Sequence, residues 1–488
     1  GSIGDSRALS ALDKSYQTDD FTLKMSILEA YGRYQQPKQT QRLLLALDEE
    51  RSELRLKAVE MLAGLGELGI IDELVYRLDD PSQNVQDAVK TALATFGEAA
   101  LPVMSNILQN HEERDLRLKI VYALREMPAE LAVAPLISIL DDPDPYFISN
   151  VKLTLQSLGE PAVSPLLNLL TSRNLLERSR SAEILAKMQE PRALPEMMDL
   201  LQGSNLSLKA SAASLVGDLN YYPAVSLLIP CLNEKDMALV FEATKALGKI
   251  GSLHATPSLL KQLDSQNTNL VVETARALGR IQDSRSIPSL IEKTKSRNQQ
   301  VKTAANDALV NIGAPAVDSL MPLMSAPNHF AIATTADILT RIGKPAVPAL
   351  LGLLEDTSTT SWYAAEALGN IKDPRAIQPL IDSLTWDDGY FYRIVKTAIA
   401  TFGEPAFEPV TVLLHSDNAD LRWKAIEVMY AFNELSMIKY FIAALDDKSW
   451  HVRFTAAKIL HNISGENYSM DVKKWRKWFN ERWPQRSI

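Results

Sequence analysis

The sequence has little of several features that mark particular protein classes. It contains one cysteine, Cys231, so no disulfide can form within the chain and no cysteine-based zinc site exists. No stretch approaches the roughly 18 consecutive apolar residues that cross a bilayer. The formal net charge is −9, which argues against non-specific binding to nucleic acid. We therefore expect a soluble protein with no direct membrane insertion and no nucleic-acid partner.

Patterns of catalytic and metal-binding residues are also missing. The glycines recur singly, so there is no glycine-rich phosphate loop, and no nucleophile elbow occurs. The histidines are scattered, and the one His-Glu pair, His111-Glu112, cannot supply a di-iron site alone. Cys231 lies in an apolar stretch, which favours a buried structural thiol. We predict no catalytic residue, no metal site and no cofactor.

What the sequence does contain is an internal repeat. Residues 89–98 return as residues 395–404 with nine of ten positions identical, at an offset of 306 residues. This offset divides into ten units of about 30.6 residues, a length typical of stacked helical repeats. Such an array grows by stacking and has no single core, so the length of 488 residues does not predict separate globular domains.

Each unit begins with the signals of a first helix, helix A, and of a turn. Proline suits the first turn of a helix because the N–H that it lacks has no partner there. Asp pairs such as Asp79-Asp80 and Asp446-Asp447 follow helix A and suit a turn and an N-cap. The prolines that we assign to the first turn of helix A are Pro102, Pro135, Pro165, Pro195, Pro257, Pro288, Pro348, Pro379 and Pro409.

A second helix, helix B, follows with a recurring nine-residue pattern that begins at Leu54, Leu116 and Leu421. Apolar residues at places 1, 5, 8 and 9 form one helical stripe. Glycine-containing turns, such as those at Gly248, Gly279, Gly369 and Gly403, are predicted to end helix B. No stretch alternates between polar and apolar residues, so the pattern predicts an all-α protein.

One segment, residues 364–381, resembles a known family. It contains Ala367-Leu368-Gly369 and Asp373-Pro374-Arg375-Ala376, and it is similar to HEAT repeats of the short, phycobilisome-lyase-like type. The resemblance extends over about residues 7–465. It implies a right-handed α-solenoid, or superhelix, of about fifteen helix pairs, with the B helices on the concave side. It also implies an alternative function, a phycobilin lyase or other tetrapyrrole-handling protein that uses the concave groove.

The ends of the chain depart from the repeat. We expect an N-terminal capping repeat at 1–36, the array at 37–465 and a tryptophan-rich capping helix at 466–488. Trp475, Trp478, Phe479 and Trp483 fall on one face of that helix and would cover the end of the array, although a partner-binding helix is the alternative. Gly1-Ser2 resemble a cloning remnant. The compartment stays open between the cytoplasm and a periplasmic or secreted location with the signal removed.

The repeats differ in what they carry. All seven tryptophans lie after residue 361, and place 3 of helix B becomes large in the last four repeats. Trp, Tyr and Arg together are typical of interface hot spots, although the same aromatics could instead pack between adjacent helices. We predict a non-enzymatic scaffold that holds another protein or peptide, with the oligomeric state open. A purely structural spacer is a further alternative. The predicted contact residues are Trp362, Tyr363, Tyr390, Tyr392, Arg393, Arg422, Trp423, Trp450, Arg453 and Phe454.

Overall fold

The structure, a computed structural model, describes residues 9–33, 37–355, 358–386, 388–483 and 485. Every regular element in these ranges is helical, and thirty of the α-helices form fifteen successive pairs. The all-α solenoid and the number of pairs are therefore confirmed. Parts of both predicted caps, namely residues 1–8, 34–36, 484 and 486–488, lie outside the described residues, as does Asp387 of one acidic turn.

The chain divides into two compact units, Gly1–Ala246 and Leu247–Ile488, and the division falls within helix α16. From α3 onward, odd-numbered helices are A helices and even-numbered helices are B helices, up to α30. The first sixteen helices are α1 (Leu9–Ser15), α2 (Phe21–Gly32), α3 (Pro37–Ala46), α4 (Ser52–Leu65), α5 (Ile71–Tyr76), α6 (Gln83–Phe96), α7 (Leu101–Asn110), α8 (Arg114–Arg125), α9 (Ala129–Ile137), α10 (Pro145–Leu158), α11 (Glu160–Leu169), α12 (Leu175–Met188), α13 (Leu194–Gln202), α14 (Leu206–Asp218), α15 (Val225–Cys231) and α16 (Met237–Ile250).

The second unit continues the same alternation and ends with one unpaired helix, α31. Its helices are α17 (Thr256–Gln262), α18 (Thr268–Ile281), α19 (Ile287–Thr294), α20 (Gln299–Ile312), α21 (Val317–Met324), α22 (His329–Ile342), α23 (Val347–Leu351), α24 (Thr359–Ile371), α25 (Ile377–Asp382), α26 (Gly389–Ala400), α27 (Phe407–Val412), α28 (Ala419–Ala431), α29 (Ile438–Ala444), α30 (Trp450–Ser464) and α31 (Val472–Arg482). No helix in the described residues is long and apolar enough to cross a membrane.

Many B helices begin at an Asn or Asp N-cap. Asn298 accepts backbone N–H groups at the start of α20, and Asp388 does the same at the start of α26. Such caps satisfy N–H groups that have no partner inside the helix. The second residue of an acidic pair has another role, because Asp80 and Asp447 bind an arginine of the preceding repeat. The predicted capping role of those two aspartates was therefore wrong.

The proline assignment holds for most repeats but is wrong for two. Pro102, Pro195 and Pro257 lie at the second residue of their helices. Pro135 and Pro165 instead lie inside α9 and α11. In these two repeats the α-helix begins about a turn earlier, over residues that form a separate 3₁₀ turn in repeats such as the one at Pro191–Ala193.

The glycines of helix B serve two different purposes. Gly403 has φ +63° in the turn that follows α26, three residues after its last residue, so the predicted glycine turn is confirmed there. Gly248, Gly279 and Gly369 lie inside their helices, so the turn predicted at these positions was wrong. A Cβ on Gly369 would lie 2.7 Å from the Cα of Ala398 in the next B helix. These glycines are needed because adjacent B helices approach closely.

Candidate functional site

Aromatic side chains meet along the N-terminal ends of four successive B helices, α24, α26, α28 and α30. Each ring comes from the first few residues of its helix, so the repeat itself brings the rings to one edge of the second unit. We call this set the aromatic rim, and it consists of Trp362, Tyr390, Tyr392, Trp423, Trp450 and Phe454.

The first contact in the aromatic rim joins α24 and α26. The ring centroids of Trp362 and Tyr390 lie 4.5 Å apart with their planes tilted by 55°. Trp362 is partly buried, and its indole Nε1 is buried with no acceptor among the described residues. Tyr390 keeps 58% of its surface exposed. Trp362 therefore supports a ring that is open to solvent.

The second contact joins α26, α28 and α30. The rings of Tyr392 and Trp423 lie 5.6 Å apart, and the edge of His451 meets Trp423 at 5.0 Å. Tyr392 is buried, and this burial, together with the nearby Glu427 carboxylate, raises the pKa of its phenol well above the usual range. Tyr392 therefore remains neutral and packs as an aromatic spacer, whereas Trp423 stays partly exposed.

The third contact lies within α30. Trp450 and Phe454 stack with their ring centroids 4.9 Å apart and their planes inclined by 15°. Both rings are open to solvent, with exposed fractions of 59% for Trp450 and 45% for Phe454. Parallel stacking of two exposed rings one helical turn apart makes a continuous apolar surface.

Arg422 is committed to a contact between repeats. Its Nε and Nη2 donate to the two carboxylate oxygens of Asp447 at 2.8 and 2.9 Å, and its Nη1 donates to the carbonyl of Ser416 at 2.8 Å. Arg55 and Asp80 form the same pair at the same separation of 25 residues. The guanidinium of Arg422 thus ties one turn to the next, and it shapes the rim without being free to bind.

Three other predicted contact residues stand in different environments. Arg453 donates through Nη1 to the carbonyl of Asp447 at 2.7 Å, but among the described residues no carboxylate pairs with it. The chain has Trp478 at the position 25 residues later, where other repeats have an aspartate. Arg393 is exposed and Tyr363 is partly buried. Arg453 therefore makes the bond to a backbone carbonyl that Arg422 also makes, but it lacks the carboxylate pair that Arg422 has.

Sequence reasoning missed two lysines that support the rim. Lys396 pairs with Glu427 at 2.8 Å across α26 and α28, and Lys152 pairs with Glu183 in the same way, 244 residues earlier. Lys424 is buried and donates to the carbonyl of Leu384 at 2.7 Å. The sequence contained a signal for Lys396, because a lysine at place 6 of one helix B recurs with a glutamate at place 7 of the next helix B.

The three aromatic residues of α31, and Trp483 directly after it, lie mainly in the interior. Trp475 is fully buried, Trp478 and Phe479 are buried, and Trp483 is partly buried against both of them. The Trp475 Nε1 donates to the carbonyl of Ser469 at 2.9 Å. The helix packs against α29. Its aromatic face is thus not available to a partner.

A cavity of about 550 Å³ lies between α24 and α26, next to the rim. Tyr390, Arg393, Lys396 and Glu366 line it. The described residues contain no group of three or more His, Cys, Asp or Glu side chains that could hold a metal ion. Cys231 is buried, and this burial raises the pKa of its thiol.

Comparison with known proteins identifies the repeat. The profile described as HEAT repeats matches residues 40–125, 71–151, 133–214, 256–336 and 318–400. No curated protein matches the chain.

Comparison with solved structures finds similar chains at low identity. Kap121p is 13% identical with a TM-score of 0.47, and the match covers 99% of this chain and 63% of Kap121p. Kap121p bound to Nup53p gives 13% identity and a TM-score of 0.48, over 93% of this chain and 64% of that one. An engineered protein is 20% identical with a TM-score of 0.32, over 81% of this chain and 99% of that one. Because the profile matches more than half of the sequence, the chain belongs to the HEAT-repeat family.

Proposed function

We propose that this protein is a non-enzymatic scaffold that holds a protein or peptide partner on the face of its B helices, mainly at the aromatic rim. One observation carries the proposal. Ring pairs join α24 to α26 and α26 to α28, a third pair stacks within α30, and the rim presents exposed surface at Tyr390, Trp450 and Phe454. We take this face to be the concave side that the family resemblance implies.

Packing among the rings of the aromatic rim supports the proposed binding, because it holds the exposed rings in place before a partner arrives. Trp362 packs against the exposed ring of Tyr390, and the exposed rings of Trp450 and Phe454 pack against each other. These contacts reduce the conformational freedom that the exposed rings lose when a partner binds. Large aromatic rings that are fixed in advance are the groups that dominate protein interfaces. We therefore propose that Trp362, Tyr392 and Trp423 pack between helices, whereas Tyr390, Trp450 and Phe454 contact the partner.

The test uses peptides selected from a random displayed library against the full chain. The rim variant carries Tyr390→Ala, Trp450→Ala and Phe454→Ala, and the control variant carries Tyr76→Ala, Tyr146→Ala and Phe330→Ala. All six rings are between 45% and 59% exposed, so the two variants lose similar apolar surface. We expect the rim variant to weaken binding by about tenfold or more, since hot-spot truncations cost ~2 kcal/mol or more. Equal affinity of the selected peptides for the rim variant and the unaltered chain contradicts the proposal.

The narrower likeness to phycobilisome-lyase-like repeats supports a second candidate, a tetrapyrrole-handling protein. The cavity of about 550 Å³ between α24 and α26 lies within the range of ~300–1,000 Å³ that small-molecule sites occupy. Titration with biliverdin tests this candidate through its absorption spectrum. A saturable shift of the absorption band that Arg393→Ala weakens would favour it over the peptide scaffold.

We also propose that α31 closes the C-terminal end of the array and that α1 and α2 close the other end. Burial of Trp475, Trp478 and Phe479 supports the first assignment. Terminal repeats need such covers because their outer apolar surface has no neighbouring repeat.

A further inference from the structure

Helix α31 has a second face that its capping role leaves unused. Its apolar side is buried by Trp475, Trp478 and Phe479. The rest of its surface is strongly basic, because it carries four exposed cations, namely Lys473, Lys474, Arg476 and Lys477. Arg482 is also exposed, one turn after Trp478 at the C-terminal end of the helix.

These charges are little neutralised by their surroundings. Lys474 lies 3.6 Å from Asp471, and Lys477 lies 3.8 Å from Glu481, both as exposed pairs. Such surface pairs contribute about 0–1 kcal/mol. Among the described residues, Lys473, Arg476 and Arg482 have no carboxylate within 4.0 Å. Most of the positive charge of α31 therefore faces solvent.

The basic face stands out from the rest of the chain. Residues 439–488 contain ten Lys and Arg against five Asp and Glu, whereas residues 1–438 contain 41 against 55. The C-terminal end therefore carries +5 and the remainder −14. Charge of one sign concentrated on one helix raises the local concentration of oppositely charged partners.

We infer that the basic face of α31 binds an acidic segment of a partner protein. An eleven-residue helix is roughly 16 Å long and matches about five residues of an extended peptide. A short acidic segment matches the length of the helix. Nucleic acid or an anionic bilayer is much larger, and the net charge of −14 on residues 1–438 opposes the approach of such an extended polyanion. Arginine also pairs with carboxylates in a bidentate geometry, which adds specificity.

The experiment measures fluorescence anisotropy of a fluorescein-labelled octapeptide of alternating Asp and Glu, titrated with the full chain. The α31 variant replaces its five basic residues by Gln. The control variant makes the same change in net charge at five exposed basic residues elsewhere, namely Lys14, Lys187, Lys235, Lys261 and Arg297. Because all ten side chains are exposed, circular dichroism should be unchanged in both variants.

We expect the α31 variant to raise the Kd by about tenfold, the control variant to change it by less than about twofold, and 500 mM salt to abolish the difference. Equal weakening by both variants would mean that only bulk charge matters, and it would overturn the inference. Absence of peptide binding to the unaltered chain at 50 mM salt would overturn it too. So would tighter binding of phosphatidylserine vesicles or duplex DNA that the α31 variant loses. None of these outcomes bears on the aromatic rim, whose exposed rings lie outside α31.

Discussion

At the scale of single residues, a glycine inside a B helix shows where that helix comes close to the next B helix. Gly217, Gly279 and Gly369 each face an alanine of the next B helix, and a Cβ on any of them would come within 2.7 Å of that alanine's Cα. The neighbouring atoms belong to the backbone, so they cannot move aside as a flexible side chain could. The cost in helix propensity is therefore offset by close packing along the array.

Replacement of Gly369 by alanine should therefore destabilise the protein, although alanine is the better helix former. We expect a loss of about 1–3 kcal/mol, the usual cost of overpacking, as a lower urea midpoint. Gly64→Ala in α4 is the control, because a Cβ there meets nothing within 4 Å. It should leave stability unchanged or raise it by up to about 1 kcal/mol. A Gly369→Ala midpoint equal to or above that of the unaltered chain would show that α24 and α26 can move apart at no cost.

Asp283 should contribute to stability in a pH-dependent way. Its carboxylate accepts from Arg285 Nε at 2.8 Å and from the Arg285 backbone N–H at 3.0 Å, and the arginine side chain lowers its pKa to about 2. A carboxyl whose pKa falls on folding stabilises the protein above its unfolded pKa, near 4, and this contribution disappears as the pH falls from about 4 to 2.

Asp283→Asn should cost about 1.5–3 kcal/mol at pH 7, the range for hydrogen bonds to charged groups, and less at pH 2.5. Urea unfolding at both pH values measures this difference. The control is Asp264→Asn, whose side chain is 85% exposed beside Lys293, and it should change little at either pH. A cost for Asp283→Asn that is the same at pH 2.5 and pH 7 contradicts the assignment.

At the scale of helices, the sequence predicted those features that are determined by residues adjacent in the chain, such as turns. The turn at Gly403 followed from a glycine and a proline that are adjacent in sequence. Features that depend on the next repeat were misread, because contacts across about 25 to 31 residues leave no local signal. Gly369 was assigned to a turn for this reason, and the pairing of Arg422 with Asp447 was not predicted. The rim residues were found because their size departs from the repeat, but only the structure separates buried Tyr392 from exposed Tyr390.

Helix α31 allows a test of how far the loss of stability in one helix spreads to its neighbours. Trp475 is fully buried, so Trp475→Ala should cost about 3–5 kcal/mol locally. Repeats contact only their neighbours, so hydrogen exchange should accelerate in α29 to α31 and remain unchanged in α4 and α6. Trp450→Ala removes a ring that is 59% exposed and is the control, with little change anywhere. Protection that survives in α29 after Trp475→Ala would argue against the capping role of α31.

At the scale of the whole molecule, helices α10 and α26 share the residues at their N-terminal ends but differ in the side chains around them. Asp144 caps α10 as Asp388 caps α26, and each aspartate is followed by an exposed tyrosine and a buried phenylalanine. The equivalent residues are separated by 244 positions, or eight repeats. What differs is the neighbour of each tyrosine, because Arg114 lies over Tyr146 whereas Trp362 packs against Tyr390. The residues that the two repeats have in common are those that packing requires. The residues that differ, such as the neighbours of the two tyrosines, indicate where function lies.

This duplication allows the cooperativity of the array to be measured with a matched pair of substitutions. Phe147 and Phe391 are both buried, at 0% and 1% exposure, and occupy the same place in helices α10 and α26. Because the chemical change and the packing are alike, Phe147→Ala and Phe391→Ala should each cost about 3–5 kcal/mol within their own neighbourhoods.

In a stack of repeats this loss stays near the substitution and declines from one interface to the next. Hydrogen exchange followed by mass spectrometry should therefore show lost protection in α8 to α12 for Phe147→Ala and in α24 to α28 for Phe391→Ala, with each variant serving as the other's control. Equal loss of protection in both regions from either substitution would mean that the array unfolds in a single cooperative step. A defect in one half could then abolish partner binding at the aromatic rim in the other, whereas local unfolding predicts that Phe147→Ala leaves the rim fully able to bind the selected peptides.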